Sequence, residues 1–201
     1  MEQASSAEAG CCWISPTPES TFALGEALGR LLAADPPGDA TVLGLCGELG
    51  SGKTLFTQGL AAGLGIDPTA VASPTFTIVS EYPLSFGTFA HLDLYRLESA
   101  AELEAVGFVD LLEPGAVVAI EWADRFPEAL PADRLTLRFT RDALVSKREV
   151  GNATAPERSR RIEAAPAGAG ARGLLGQWAA AVAAAPASEP LGAITPAGSP
   201  R

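Results

Sequence analysis

Apolar positions recur along this chain with two alternating periods, one of about four residues and one that is either continuous or every second residue. Leu24, Leu28 and Leu31 mark a helix that Ser20 can cap and that ends before Asp35-Pro-Pro-Gly38. Thr41-Val-Leu-Gly-Leu-Cys46 is a buried strand, and Leu55–Leu64 is a helix whose inner face is Phe56, Leu60 and Leu64, closed by Ile66-Asp-Pro68. Val71–Tyr82 starts as a turn and continues as an alternating strand; with Phe89–Leu94 it frames a hairpin around Ser85-Phe-Gly87. Ser99 and Glu102 have capping-box spacing ahead of Leu103 and Val106, and Gly107 can end that short helix. Ala116-Val-Val-Ala-Ile120 has the continuous apolar character of a strand buried on both faces. Leu135–Phe139 and Arg160–Glu163 are further strands, and Gly173–Ala184 is an Ala-rich helix with Leu174, Leu175 and Trp178. Strands alternating with helices predict an α/β fold with a mostly parallel central sheet and an antiparallel portion from the Thr75–Leu94 hairpin.

Composition adds boundaries to this pattern. The expected division is a flexible tail over 1–12, one domain over 13–184, and a disordered Pro/Gly/Ala-rich tail over 185–201. The acidic N-terminus lacks the basic start of a signal peptide, and no apolar run is long enough for a bilayer, so the expected location is the cytoplasm, without membrane contact. Three cysteines, two of them adjacent, make no disulfide framework and are read as reduced thiols. The net charge of −10 repels phosphodiester backbones, which argues against binding DNA or RNA autonomously.

One segment changes the picture. Gly47-Glu-Leu-Gly-Ser-Gly-Lys-Thr54 fits the G-x-x-x-x-G-K-[ST] phosphate-binding loop at every fixed position, between a strand and a helix N-terminus. Gly47, Gly50 and Gly52 allow left-handed backbone, so the N–H groups of Gly47, Glu48, Leu49, Gly50, Ser51 and Gly52 can turn toward an anion. Lys53 can reach the β- and γ-phosphates of ATP, and the Thr54 hydroxyl can ligate Mg2+. The expected architecture is thus the three-layer fold of P-loop NTPases. Asp93 and Glu121 each end an apolar strand; either can ligate Mg2+ directly or through water, and Glu121 can instead orient a water toward the γ-phosphate. Thr75, in Ser73-Pro-Thr-Phe76, reads equally as a γ-phosphate sensor or as a turn fixed by Pro74. His91 suits a hydrogen bond beyond the metal's own ligands better than a Mg2+ bond. Arg96 and Arg125 read as surface residues. No N-K-x-D segment reads guanine, and no Arg-rich lid clamps a second phosphate substrate, so hydrolysis or switching is favoured over phosphoryl transfer to a metabolite.

Taken together, the phosphate loop, Ser73-Pro-Thr-Phe76, His91-Leu-Asp-Leu-Tyr-Arg-Leu97, Glu102-Leu-Glu104 with Gly107, and Ile120-Glu-Trp122 closely resemble the TsaE (YjeE) family of bacterial ATPases in tRNA threonylcarbamoyladenosine synthesis. The resemblance runs from about Thr17 to Trp178. It implies an ATP-hydrolysing partner of TsaB and TsaD, which modify adenosine-37, with tRNA met only through that assembly. It also implies that Lys53 and Thr54 hold phosphate and Mg2+, that Asp93 and Glu121 serve metal and hydrolysis, and that Thr75 faces the γ-phosphate. Arg158-Ser-Arg-Arg161 resembles the family's late arginine segment, which makes Arg158 and Arg161 nucleotide contacts. Thr17–Thr21 resembles its base-contacting region. Residues 141–156 are longer than in compact members, and the tail beyond Ala185 matches none. A small-molecule kinase and a non-hydrolytic ATP-dependent adaptor are the alternatives.

Overall fold

A computed structural model describes residues 10–141 and 159–197 of the chain. Eight strands, β1 (Cys11–Ser15), β2 (Thr41–Cys46), β3 (Val79–Pro83), β4 (Thr88–Asp93), β5 (Val117–Glu121), β6 (Arg134–Arg141), β7 (Arg160–Ala167) and β8 (Thr195–Pro196), form one sheet in the order β3-β4-β5-β2-β6-β7-β1-β8. The central four, β4-β5-β2-β6, are parallel, and each outer pairing is antiparallel. The fold is the α/β class expected, with a parallel core and antiparallel margins.

Side-chain alternation along each strand divides the interior in two. Leu43, Leu45, Phe89, Val117, Ala119, Leu135, Leu137 and Phe139 face one layer of helices, α1 (Pro18–Ala34), α2 (Lys53–Gly63) and α4 (Ala169–Ala184). Val42, Leu92, Val118 and Ile120 face the other layer, which holds the short α3 (Ala100–Ala105) and several single turns. Ser99 caps α3 by accepting from the Glu102 N–H, and Gly107 follows in left-handed conformation, as their spacing predicts. Phe56, Leu60 and Leu64 are buried, also as predicted. Trp178 of α4 lies edge-on to Trp13 and to Phe56 of α2 and donates from its indole N–H to the Leu24 carbonyl of α1, which ties α4 to both helices.

Helices α1 and α2 approach more closely than any side chain would allow. A Cβ on Gly25 would overlap the Phe56 carbonyl oxygen, one on Gly29 that of Leu60, one on Gly59 that of Phe22 and one on Gly63 that of Glu26. Every obstacle is backbone, so no rotamer change can relieve it. Gly59→Ala is expected to cost about 3 kcal/mol, a fall of roughly 6–12 °C in Tm by calorimetry.

Four local expectations differ from the structure. Thr17, not Ser20, caps α1: Thr17 Oγ1 accepts from the Ser20 N–H at 3.2 Å and Ser20 Oγ from the Thr17 N–H at 3.0 Å. Pro18, with fixed φ and no N–H, then takes the first helical position. The buried stripe of α1 is Leu24, Leu28 and Leu32, with Leu31 half-buried. The strand expected within 71–82 begins only at Val79, because Ile78 has φ 68° and its N–H returns to the Pro74 carbonyl. Neither tail follows its composition across its whole length. Cys11 and Cys12 belong to β1, and beyond Ala185 Ile194 is buried in the core while Thr195 and Pro196 pair with Ile14 and Trp13. An unpaired β1 edge would leave backbone groups open, and this returning segment covers part of it.

Candidate functional site

The chemistry-bearing residues converge where the parallel strands end, on the face that carries α2. Gly47, Gly50 and Gly52 have φ of 137°, 70° and 111°, so the loop between β2 and α2 takes the left-handed turns its glycines permit. Lys53 Nζ donates to the carbonyls of Gly47 (2.6 Å) and Glu48 (3.0 Å) and lies 4.1 Å from the centre of the Trp122 ring. Burial lowers the Lys53 pKa below the usual lysine value, and the nearby carboxylates Glu121, Asp93 and Asp124 act against that shift. Ser51 Oγ is buried in the loop with no hydrogen-bond partner.

The two strand-end acids have different attachments. Asp93 and Glu121 are neighbours in register on β4 and β5. Glu121 Oε1 accepts from Thr54 Oγ1 at 2.8 Å and lies 3.0 Å from His91 Nε2. Asp93 Oδ2 accepts instead from Ser73 Oγ (2.6 Å) and Thr75 Oγ1 (2.8 Å), and Oδ1 from the Tyr95 N–H (2.9 Å). Glu121 is therefore the acid joined to Thr54, and Asp93 is the acid that ties down the Ser73–Phe76 segment. Thr75 reaches the site through Asp93. Trp122, at φ 59°, turns its ring toward Lys53 and lies 5.0 Å from that of Tyr95.

Strand parity decides the arginines. Arg160 shares the face of Ile162 and Ala164 and lies against Gly52, whose Cβ would sit 2.9 Å from Arg160 Nε. Arg161 points to the opposite face and donates to Cys12 Sγ at 3.5 Å. The phosphate loop thus meets Arg160, while Arg161, expected as a nucleotide contact, lies on the other side of β7, because successive strand residues alternate sides. Arg158 lies outside the described residues. Arg141, at the end of β6, donates to the Gly50 carbonyl (3.2 Å) and the Leu49 carbonyl (2.7 Å), a loop contact that sequence reasoning missed. Only the β2–β6 register, which pairs Cys46 with Arg138, places Arg141 beside the loop. Arg96 stacks on the exposed Phe76 ring and Arg125 donates to the Leu97 carbonyl.

Among the described residues no group of three or more His, Cys, Asp or Glu forms a metal cage. The available set is one hydroxyl, Thr54, with the carboxylates of Glu121 and Asp93. All are hard oxygen donors, and so few suit Mg2+, which retains waters and takes phosphate oxygens as ligands. No helix among the described residues is long and apolar enough to cross a membrane.

Comparison with known proteins agrees with this fold. The family model described as "Threonylcarbamoyl adenosine biosynthesis protein TsaE" matches residues 15–150. The tRNA threonylcarbamoyladenosine biosynthesis protein TsaE of Bacillus subtilis is 42% identical over 130 residues, covering 64% of this chain and 77% of that protein. Its namesake in Streptomyces coelicolor is 42% identical over 122 residues, covering 59% of this chain and 77% of its own length. The crystal structure of Bacillus subtilis YdiB superposes with a TM-score of 0.61 at 29% identity, covering 88% of this chain and 98% of that one. With its phosphate loop and both strand-end acids in the matched span, the chain belongs to the TsaE family of tRNA threonylcarbamoyladenosine biosynthesis proteins.

Proposed function

We propose that this protein binds ATP with Mg2+ in the loop 47–54, hydrolyses it, and thereby serves the TsaB–TsaD assembly that modifies adenosine-37 of tRNA in the cytoplasm. The observation that carries the reading is the Thr54–Glu121 hydrogen bond, which joins the phosphate loop to a strand-end carboxylate. Bound Mg2+ would supply neutralisation of the phosphate charge. The chain's own residues do the rest. Lys53 exchanges its two loop carbonyls for phosphate oxygens, Thr54 and Glu121 would hold the Mg2+, directly or through water, and Glu121 orients the water that attacks the γ-phosphorus. ADP leaves, and the products are ADP, phosphate and a proton. Ser73 and Thr75, held by Asp93, form the segment able to respond to the γ-phosphate.

Exposed apolar side chains support a protein partner at this mouth. Phe76 is 84% exposed, Leu49 77% and Tyr95 50%, and each belongs to a segment that builds the site. The acidic surface, with a net charge of −10, suits contact with tRNA through the assembly rather than directly. Phe76→Ala is expected to weaken binding to the TsaB–TsaD pair about tenfold or more in biolayer interferometry with ATP present, leaving nucleotide affinity within about twofold.

The decisive experiment measures ATP hydrolysis by the purified chain, alone and with its cognate TsaB–TsaD pair, with Lys53→Ala as the blank. Lys53-dependent turnover that rises with the pair supports the reading. Turnover indifferent to the pair removes the partner assignment, and acceleration by a small phosphate acceptor would favour a kinase.

A further inference from the structure

His91 is the sole histidine of the chain, and its side chain is fully buried on β4. Nε2 lies 3.0 Å from Glu121 Oε1, while Nδ1 is buried with no hydrogen-bond partner. A carboxylate oxygen accepts, so Nε2 is the nitrogen that carries a hydrogen and donates, and Nδ1 makes no hydrogen bond. Leaving a buried polar atom unpaired is unfavourable. An apolar side chain would avoid that cost, so the imidazole is accounted for by what its other nitrogen does.

That nitrogen acts on the orientation of Glu121. Thr54 Oγ1 and His91 Nε2 both meet Oε1, and among the described residues no hydrogen bond reaches Oε2. Two partners on one oxygen fix the rotation of the carboxylate and leave its second oxygen without a protein bond. Thr54 is itself a prospective metal ligand, whereas His91 is held inside the sheet and meets neither phosphate nor metal in the proposed reaction. We infer that His91 is a positioning residue, whose Nε2–H locks Glu121 so that Oε2 is the oxygen available to the metal or its water. This rests on the reading of Glu121 as the acid of ATP hydrolysis.

A single histidine makes the test direct. In the full chain labelled with 15N-histidine, NMR should show one imidazole with Nε2 protonated and Nδ1 bare, and Glu121→Gln should move the Nε2 signal more than the Nδ1 signal. His91→Phe keeps bulk and removes the donor, whereas His91→Gln keeps an N–H near the Nε2 position. His91→Phe is expected to lower kcat about 10–100-fold with KM for ATP changed less than about threefold, and to raise the Mg2+ needed for binding of a fluorescent ATP analogue. His91→Gln should restore most of both. An Nδ1–H tautomer in the wild type would overturn the inference, as would equal losses in the two variants or a loss confined to KM. If His91→Phe fails to fold, the wild-type tautomer and His91→Gln decide. A wild type that hydrolyses no ATP would sink the hydrolase reading, while the tautomer and the Mg2+ titration would still judge His91.

Discussion

Glu121→Gln is expected to reduce ATP hydrolysis by about 10²–10⁴-fold, the range for losing a positioned acid–base group, while ATP still binds. The amide oxygen can accept from Thr54 Oγ1 and His91 Nε2 as Oε1 does, so the loop-to-strand link survives. What disappears is the negative charge, and with it the ability to attract metal or polarise a water. Single-turnover hydrolysis beside equilibrium binding of a fluorescent ATP analogue separates the two effects. Hydrolysis within about threefold of wild type would take Glu121 out of the reaction. An adaptor that switches its partner by binding alone would then be the better account.

Lys53→Met should have a comparably large effect with the opposite signature, losing nucleotide affinity and lowering turnover by about 10²–10³-fold. Its effect on the nucleotide-free protein is less intuitive. Burial lowers the Lys53 pKa in the folded chain relative to the unfolded one. In the alkaline window between the folded and unfolded values the unfolded chain binds more protons, so stability from this group rises with pH there. Below that window the protein carries the full desolvation cost of the ammonium. Replacing it with methionine removes that cost, and the Tm of the nucleotide-free variant should hold or rise even as ATP ceases to stabilise it. A Tm well below wild type without nucleotide would show that the bonds to Gly47 and Glu48 outweigh desolvation.

The parts of the site written in local order were legible from sequence. The glycines of 47–54 specify their own backbone, the run Val117–Ile120 identifies a central strand, and Asp93 and Glu121 end their strands. What depends on tertiary arrangement was not legible. Arg160 and Arg161 are adjacent, and only the phase of β7 tells which meets Gly52. Phase is hard to assign when the preceding stretch, 142–158, has no periodic pattern. Asp93 and Glu121 look alike as strand-end acids; the difference lies in partners 20 residues upstream and 67 residues upstream in the chain. The returning C-terminal segment was hidden because two isolated apolar residues, Leu191 and Ile194, carry its packing amid disorder-prone composition.

The glycine contact between α1 and α2 also fixes where motion can occur. Two helices meeting backbone to backbone have no side chains to re-pack, so neither can slide or roll to an alternative register. Since α2 begins at Lys53, the phosphate-binding wall is an anvil, and the far side of the molecule should be deaf to which nucleotide is bound. The yielding wall is the Ser73–Phe76 segment, attached to Asp93 through hydroxyl hydrogen bonds. Hydrogen exchange should thus differ between ATP and ADP states around 73–78, with α1 and the body of α2 silent, and any partner that reads the nucleotide must read it from the front.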